Sequence, residues 1–349
     1  MTRTKIAGIG MYVPENIVTN DDLAAIIDTS DEWIKERTGI NERRYVTRYK
    51  ESSATMGTKA AAQAIENAGL TPQDIDFVIF ATLSPDYYFP GCGVLLQRAL
   101  QMREIGALDV RNQCSGFVYG LSIADQFIKT GMYKNILLVG AEAHSLGLNF
   151  SDEGRNVSVI FGDGAGAVVL RPATNPGQGI LSTHLHSNGA DAEMLAMINP
   201  GFHSGLYNNN RRPPVPGKPY GGMFVTPDQV ANHDFYPTMD GQAVFKKAIE
   251  KFPEVVNEAL TANGYTVNDL DLLIPHQANL RISQFVQKKL QLRGNQVFNN
   301  IQQYGNTTAA SIPIALYEAY QAGRITEGNL ICFAAFGSGY TWASGLIRW

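Results

Sequence analysis

Apolar positions along this chain alternate between two regimes. Short continuous runs at Asp76 to Ala81, Val168 to Leu170 and Asp271 to Ile274 predict strands covered on both faces. Between them apolar residues recur at helical spacing, as in Phe117, Leu121, Ala124, Phe127 and Ile128, where Gly131 supplies the stop. An opening strand is expected over Lys5 to Gly10, with a short helix from Asn20 or Asp21. Thr29 to Gly39 carries a capping-box pattern, Thr29 with Glu32, and ends on glycine. Alanine-rich Ser53 to Asn67 predicts a helix stopped by Gly69, and Ile312 to Ala322 another stopped by Gly323. Strands alternating with helices make the chain α/β.

The pattern repeats. Gly69-Leu70-Thr71-Pro72-Gln73-Asp74-Ile75-Asp76 is echoed by Gly264-Tyr265-Thr266-Val267-Asn268-Asp269-Leu270-Asp271, with an apolar run after each copy. Phe161-Gly162-Asp163-Gly164, followed by Leu170-Arg171, is echoed by Phe336-Gly337-Ser338-Gly339, followed by Leu346-Ile347-Arg348. In the same order, the turn and helix at Cys114 correspond to the turn and helix at Asn306. Two matches in one order predict duplicated halves, 1–172 and 173–349. One stretch, 197–222, has no period and many breakers. It reads as a long inserted loop, whose Phe202, Leu206, Tyr207 and Tyr220 favour packing over a free linker.

Composition narrows the function. A length of 349 residues with 44% hydrophobic and 17% charged residues suits an ordinary globular enzyme of two domains or a duplicated one. A net charge of −4 with no basic block argues against nucleic acid as a partner. No apolar run is long enough for a signal peptide or a membrane span. Cys92, Cys114 and Cys332 are too few and odd in number for a disulfide framework, so a reducing cytoplasm is the expected compartment.

Candidate chemistry centres on Cys114. A strand ends near Val110, three polar residues turn the chain, and Cys114 then opens a helix, where unpaired N–H groups favour thiolate over thiol. By position alone it is equally a small buried hydrophobe. His276 lies just past a predicted strand end, where α/β sites are built. A lone histidine is more often structural, and Asn306 beside a helix start is a good N-cap. Gly162-Asp163-Gly164-Ala165-Gly166 leads into strand, so it is a tight turn and not a dinucleotide loop. His184 and His186 lack a third metal ligand nearby in sequence.

Gln113-Cys114-Ser115-Gly116, Phe161-Gly162-Asp163-Gly164-Ala165-Gly166-Ala167, His276-Gln277-Ala278-Asn279-Leu280-Arg281, Gly305-Asn306-Thr307 and Phe336-Gly337-Ser338-Gly339-Tyr340-Thr341-Trp342 occur in that order. With these motifs the chain resembles β-ketoacyl-acyl-carrier-protein synthase III, from Lys5 to Trp349 apart from the loop. The resemblance implies a thiolase-like, five-layered αβαβα fold of two pseudo-symmetric halves, in a homodimer. It implies a triad of Cys114, His276 and Asn306, with an oxyanion held by the backbone N–H groups of Cys114 and Ser338. Residues gripping coenzyme A carry over to Trp33, Arg37, Thr38, Arg155, Gly241 and Asn279. Acyl-carrier-protein docking carries over to Lys246, Arg281, Lys288 and Lys289, and Phe89 matches a position that reaches across the dimer to shape the acyl pocket. The implied reaction is a decarboxylating Claisen condensation of an acyl-coenzyme A primer with malonyl-acyl carrier protein through an acyl-cysteine. It requires no metal or redox cofactor, no nucleic acid and no membrane insertion.

Relatives within the superfamily separate by residue. A thiolase would carry a second cysteine where Ser338 stands, and an elongating synthase a second histidine where Asn306 stands. Plant-type polyketide synthases have a different C-terminal loop. Enzymes of secondary metabolism or head-to-head β-keto acid formation are the nearest alternatives, and a non-catalytic scaffold keeping the intact triad is a poorer one. The typical family member has a short connection where this chain has its loop. Together with small Gly91 and Gly93 beside Phe89, the loop points to room for a medium-chain primer.

Overall fold

The computed structural model describes residues 2–202 and 224–349. The centre of the expected loop, with Leu206, Tyr207 and Tyr220, lies outside the described residues. Strands Thr4–Tyr12, Gly164–Pro172, Ile136–Glu142, Phe77–Ala81 and Gly106–Val110 form one mixed sheet, in that spatial order. Gly164–Pro172 runs antiparallel to both its neighbours, and the last three strands are parallel. Leu272–Pro275, Leu330–Gly337, Thr341–Arg348 and Gly179–Ser187 form a second sheet whose first pair is parallel. Ile136–Glu142 is buried at every position and Gly164–Pro172 at nearly every one, as continuous apolar strands require.

Helices fill the spaces in layers. Ser53–Asn67 packs Met56, Ala60, Ala61 and Ala64 onto one face of the first sheet. Its alanines let helix and strands approach closely. Between the sheets, Gly116–Lys129 contributes Phe117, Leu121 and Ala124, and Ser311–Gln321 contributes Ile312, Ala315 and Leu316, to a core shared with Leu138, Val168, Ile331 and Phe333. Gly241–Ala262 covers the far side of the second sheet with Phe252, Val255 and Val256. Each such side chain contributes roughly 1.5–3 kcal/mol by leaving water. Helix, sheet, helix, sheet and helix make the five layers.

The sequence echo appears as repeated hydrogen bonding. Thr71 and Thr266 each donate a backbone N–H to an aspartate three residues on, Asp74 and Asp269, at 2.8 Å. Gly69 and Gly264 precede them with φ of 67° and 73°. Asp76 then accepts from Asn135 N–H, and Asp271 from Leu330 N–H, each carboxylate holding the start of a neighbouring parallel strand.

Two local expectations are corrected. The helix Asp31–Thr38 is capped by Ser30, whose hydroxyl accepts from Trp33 N–H at 3.1 Å, while the Thr29 hydroxyl is buried without a partner. The chain is still extended at Ser30, so only that residue can reach the first free N–H groups. Cys114 does not open the α-helix itself. It sits in a 3-10 turn, Gln113–Ser115, and the helix begins at Gly116.

Candidate active site

Cys114 follows Gln113, whose φ of 43° is unusual for a residue with a Cβ, and this sharp turn carries the thiol to the end of the second sheet. Glycine at 337 is required there: a Cβ would stand 2.5 Å from Cys114 Cβ and 2.8 Å from its sulfur. The backbone N–H groups of Ser338 and of Cys114 itself favour thiolate. Burial outweighs them. Together with the negative charge of Glu142, it pushes the thiol up to about 12. This overturns the expected depressed thiol, because a 3-10 turn closed off from water loses more by desolvation than it gains from its dipole.

His276 follows the strand Leu272–Pro275, held by its N–H donating to the Ala334 carbonyl at 2.7 Å. Its Nδ1 lies 2.7 Å from Ser311 Oγ, and its Nε2 is buried without a partner. Ser311 has one proton for two neighbours, Nδ1 and the Thr308 carbonyl 2.9 Å away. Given to Nδ1, it leaves the ring's own proton on Nε2, the form that donates. Given to Thr308, it leaves Nε2 as an acceptor. Burial drops the His276 pKa to about 3, with repulsion from His144, whenever that ring is protonated, acting in the same direction, so the ring is neutral.

Asn306 is fixed by its backbone, with its N–H donating to the Ile160 carbonyl at 2.9 Å and its carbonyl accepting from Gly162 N–H at 3.1 Å. Oδ1 accepts from Thr308 N–H at 2.8 Å, which leaves the amide NH2 as the free end.

A cavity of about 660 Å³ opens beside these groups. Cys114, Ser338, His144, Phe161 and Thr308 are on its wall, together with Leu83 to Tyr88. Met197, Asn199 and Pro200, from the start of the expected loop, and Pro237 beyond it line the cavity too. Tyr88, Phe202 and Phe224 gather at this side, their ring centroids 5.1–6.3 Å apart. His144 and Thr308 are on the wall, and His276 and Asn306 are not.

Reasoning from sequence missed three residues here. Glu142 is wholly buried at the end of an apolar strand and accepts from Thr82, Leu83 and Ser84, and burial raises it to about 7. The His144 ring packs tilted against Phe161, centroids 4.6 Å apart, sits 2.6 Å from Thr308 Oγ1, and is held neutral by burial, its pKa lowered to about 3. Thr308 has a φ of 50°. The available signal was a charged residue and a histidine at the end of a run otherwise fit for a core.

The remaining expected residues fall into groups. Two guanidinium groups approach the Trp33 ring, Arg37 at 4.6 Å and Arg155 at 5.2 Å from its centre. Arg155 also donates to the Asp28 carbonyl and carboxylate. Asn279 caps the helix Leu280–Lys289 and donates to the Arg37 carbonyl at 2.9 Å. Gly241 is the exposed first residue of its helix. Thr38 is set apart, since it is buried and its hydroxyl serves Ile34 and Ile40. Lys246, Arg281, Lys288 and Lys289 are exposed on two adjacent helices, with Arg281 over the Phe245 ring and Lys289 Nζ 3.3 Å from the Ile249 carbonyl. Their neighbours Lys247 and Lys251 pair with Glu250 and Glu254. Phe89 is 79% exposed and turned away from its own cavity. The room expected at Gly91 and Gly93 is already filled: the Asp109 carboxylate lies against both and accepts from Cys92 N–H and Gly93 N–H, capping the helix Cys92–Ala99. His184 and His186 both turn to Glu258, and among the described residues no cluster of His, Cys, Asp or Glu is arranged to hold a metal.

A five-layered fold with a buried cysteine at the end of a cavity defines a condensing enzyme of the thiolase fold. Models of 3-oxoacyl-[acyl-carrier-protein] synthase III match residues 108–189 and, for its C-terminal part, 260–349. The β-ketoacyl-[acyl-carrier-protein] synthase III of Xanthomonas euvesicatoria pv. vesicatoria is 43% identical over 349 residues, covering 99% of this chain and 98% of that protein. That of Methylococcus capsulatus is 42% identical over 346 residues, covering 99% of both. The crystal structure of the Aquifex aeolicus VF5 synthase III superposes with a TM-score of 0.87 at 40% identity, covering 99% of this chain and 100% of that one. The chain belongs to the β-ketoacyl-acyl-carrier-protein synthase III family and is an acyltransferase.

Proposed function

We propose that the protein carries out the initiating condensation of fatty acid biosynthesis, joining an acyl-coenzyme A primer to malonyl-acyl carrier protein. The observation that carries this is Cys114 on the cavity wall beside Ser338, where the backbone N–H groups of Ser338 and Cys114 favour its thiolate. The thiolate attacks the primer's thioester carbonyl, the two N–H groups hold the oxyanion, and coenzyme A leaves with the thiol's proton. Malonyl thioester then loses carbon dioxide. The Asn306 amide and His276, protonated on Nε2, donate to the enolate oxygen. The enolate carbon attacks the acyl-cysteine, releasing a 3-oxoacyl thioester and the Cys114 thiolate, which regains a proton.

Trp33 with Arg37 and Arg155 offers an indole face and two cations, suited to the adenine and phosphates of coenzyme A. Asn279 positions Arg37, and Gly241 keeps the helix start open, whereas Thr38 supports the helix from inside. The cations at 246, 281, 288 and 289 suit an acidic carrier protein. The edge strand Gly106–Val110, with Leu108 37% exposed, and outward Phe89 suit pairing with a second copy, Phe89 entering the partner's cavity. We read the halves as meeting at residue 172 and the compartment as cytoplasmic. The cavity and its aromatic rim favour a medium-chain primer.

The test is intact-protein mass spectrometry after exposure to acyl-coenzyme A. Wild type should gain one acyl group and Cys114→Ser none, since no base adjoins that hydroxyl. An adduct on Cys92 or Cys332 would overturn the assignment. His276→Ala and Asn306→Ala should still be acylated while carbon dioxide release from malonyl thioester falls about 100-fold or more.

A further inference from the structure

Thr308 uses every polar group it has on the predicted site. Its N–H donates to Asn306 Oδ1 at 2.8 Å. Its carbonyl accepts from Ser311 Oγ at 2.9 Å, and that oxygen is the neighbour of His276 Nδ1 at 2.7 Å. Its hydroxyl meets His144 Nε2 at 2.6 Å. One residue thus touches the fixing bonds of both predicted donors, and a third side chain from a distant part of the chain holds it.

The backbone of Thr308 explains why it needs holding. A φ of 50° is a left-handed conformation that a β-branched residue rarely adopts. It persists only where surrounding contacts over-determine it. Two such contacts are present. Gly140, at the end of the first sheet, lacks the Cβ that would otherwise run into the Ala309 carbonyl, so the turn Thr308–Ala310 seats directly on the strand. His144 is itself fixed, its ring against Phe161 and the following Ser145 bonded through N–H and hydroxyl to buried Asp163.

We propose that Thr308 is a positioning residue that holds the Asn306 amide and, through Ser311, the His276 ring in register, and that the His144 side chain locks it in the left-handed turn. The inference rests on the assignment of His276 and Asn306 as the enolate's donors. Thr308 and His144 do not act on the substrate's reacting atoms. They set where the donors point, so they bear on decarboxylation and not on attack by Cys114. Small displacements matter at this step, because donors are effective only when aimed at the place where charge develops.

The experiment measures both half-reactions on the full-length protein: the rate of Cys114 acylation by mass, and carbon dioxide release from malonyl-acyl carrier protein. Thr308→Val removes the hydroxyl at nearly constant shape, and Thr308→Ser keeps it. Thr308→Val should lower kcat for release by about 10- to 100-fold. KM for the malonyl thioester and the acylation rate should stay within about twofold. Thr308→Ser should recover most of the loss, and adding His144→Leu to Thr308→Val should slow release no further than the slower single variant. The proposal is overturned if Thr308→Val slows both half-reactions alike, if serine does not rescue, or if the two effects multiply. Asn306→Ala separates the levels. If it releases carbon dioxide normally, the donor assignment fails and takes the proposal with it. If it is slow while Thr308→Val is normal, only the proposal fails.

Discussion

His276 Nδ1 and Ser311 Oγ lie 2.7 Å apart, joining a loop after the second sheet's edge strand to the first residue of a helix between the sheets. This bond orients the imidazole and decides which nitrogen carries its proton. Ser311→Ala removes both controls. We expect carbon dioxide release to fall by about 10- to 100-fold, with acylation of Cys114 retained. Ser311→Thr, which keeps the hydroxyl, should lie closer to wild type. Release unchanged in Ser311→Ala would show that backbone contacts alone fix the ring.

The thiol at Cys114 should show its raised pKa in its reactivity. With burial pushing it up to about 12, the thiolate is a minor species at neutral pH. Alkylation of Cys114 by iodoacetamide should therefore climb nearly tenfold per pH unit between about 6 and 9. A plateau in that range would mark a thiolate stabilised by the turn.

Acid stability follows from four buried groups, two of each sign. His144 and His276, lowered to about 3, hold fewer protons in the fold than in the unfolded chain, so their contribution falls as pH drops from about 6.5 to 3. Glu142 and Asp163, raised by burial to about 7 and about 6, hold more, so theirs grows as pH falls toward about 4. The two pairs oppose each other above about pH 4, and below it the histidines act without that offset. Asp22, Asp31, Asp74, Asp76 and Asp269 have lowered pKa values, and their contributions also fade there. Urea midpoints should change little from pH 6.5 to 4.5 and drop steeply below. His144→Gln should flatten the lower limb, and an unaltered limb would mean that His144 is protonated in the fold.

Primer length tests the aromatic rim. Each methylene buried against Tyr88, Phe202 and Phe224 would gain about 0.8 kcal/mol. Wild type should prefer primers of about six to ten carbons, and Phe202→Ala with Phe224→Ala should lose more rate on octanoyl than on acetyl. An optimum at acetyl, or an equal loss on both, would mark the rim as surface.

By itself the sequence determined the parts that local chemistry controls. Continuous apolar runs could be only covered strands, and the Thr71–Asp74 and Thr266–Asp269 echoes closed the same turns because threonine and aspartate three apart satisfy each other wherever they occur. Ordered motifs were enough to name the family. Tertiary structure decided everything that depends on exclusion of water and on distant neighbours. The first turn at Cys114 predicted a lowered thiol, but full burial and then Glu142 reverse the direction. Gly91 and Gly93 read as open space until Asp109, from the neighbouring strand, filled it. His144 and Thr308 meet across 164 positions of chain, and no spacing rule reaches that far. Desolvation and long-range contact are properties of the packed interior, which exists only once both sheets have closed over their shared helices.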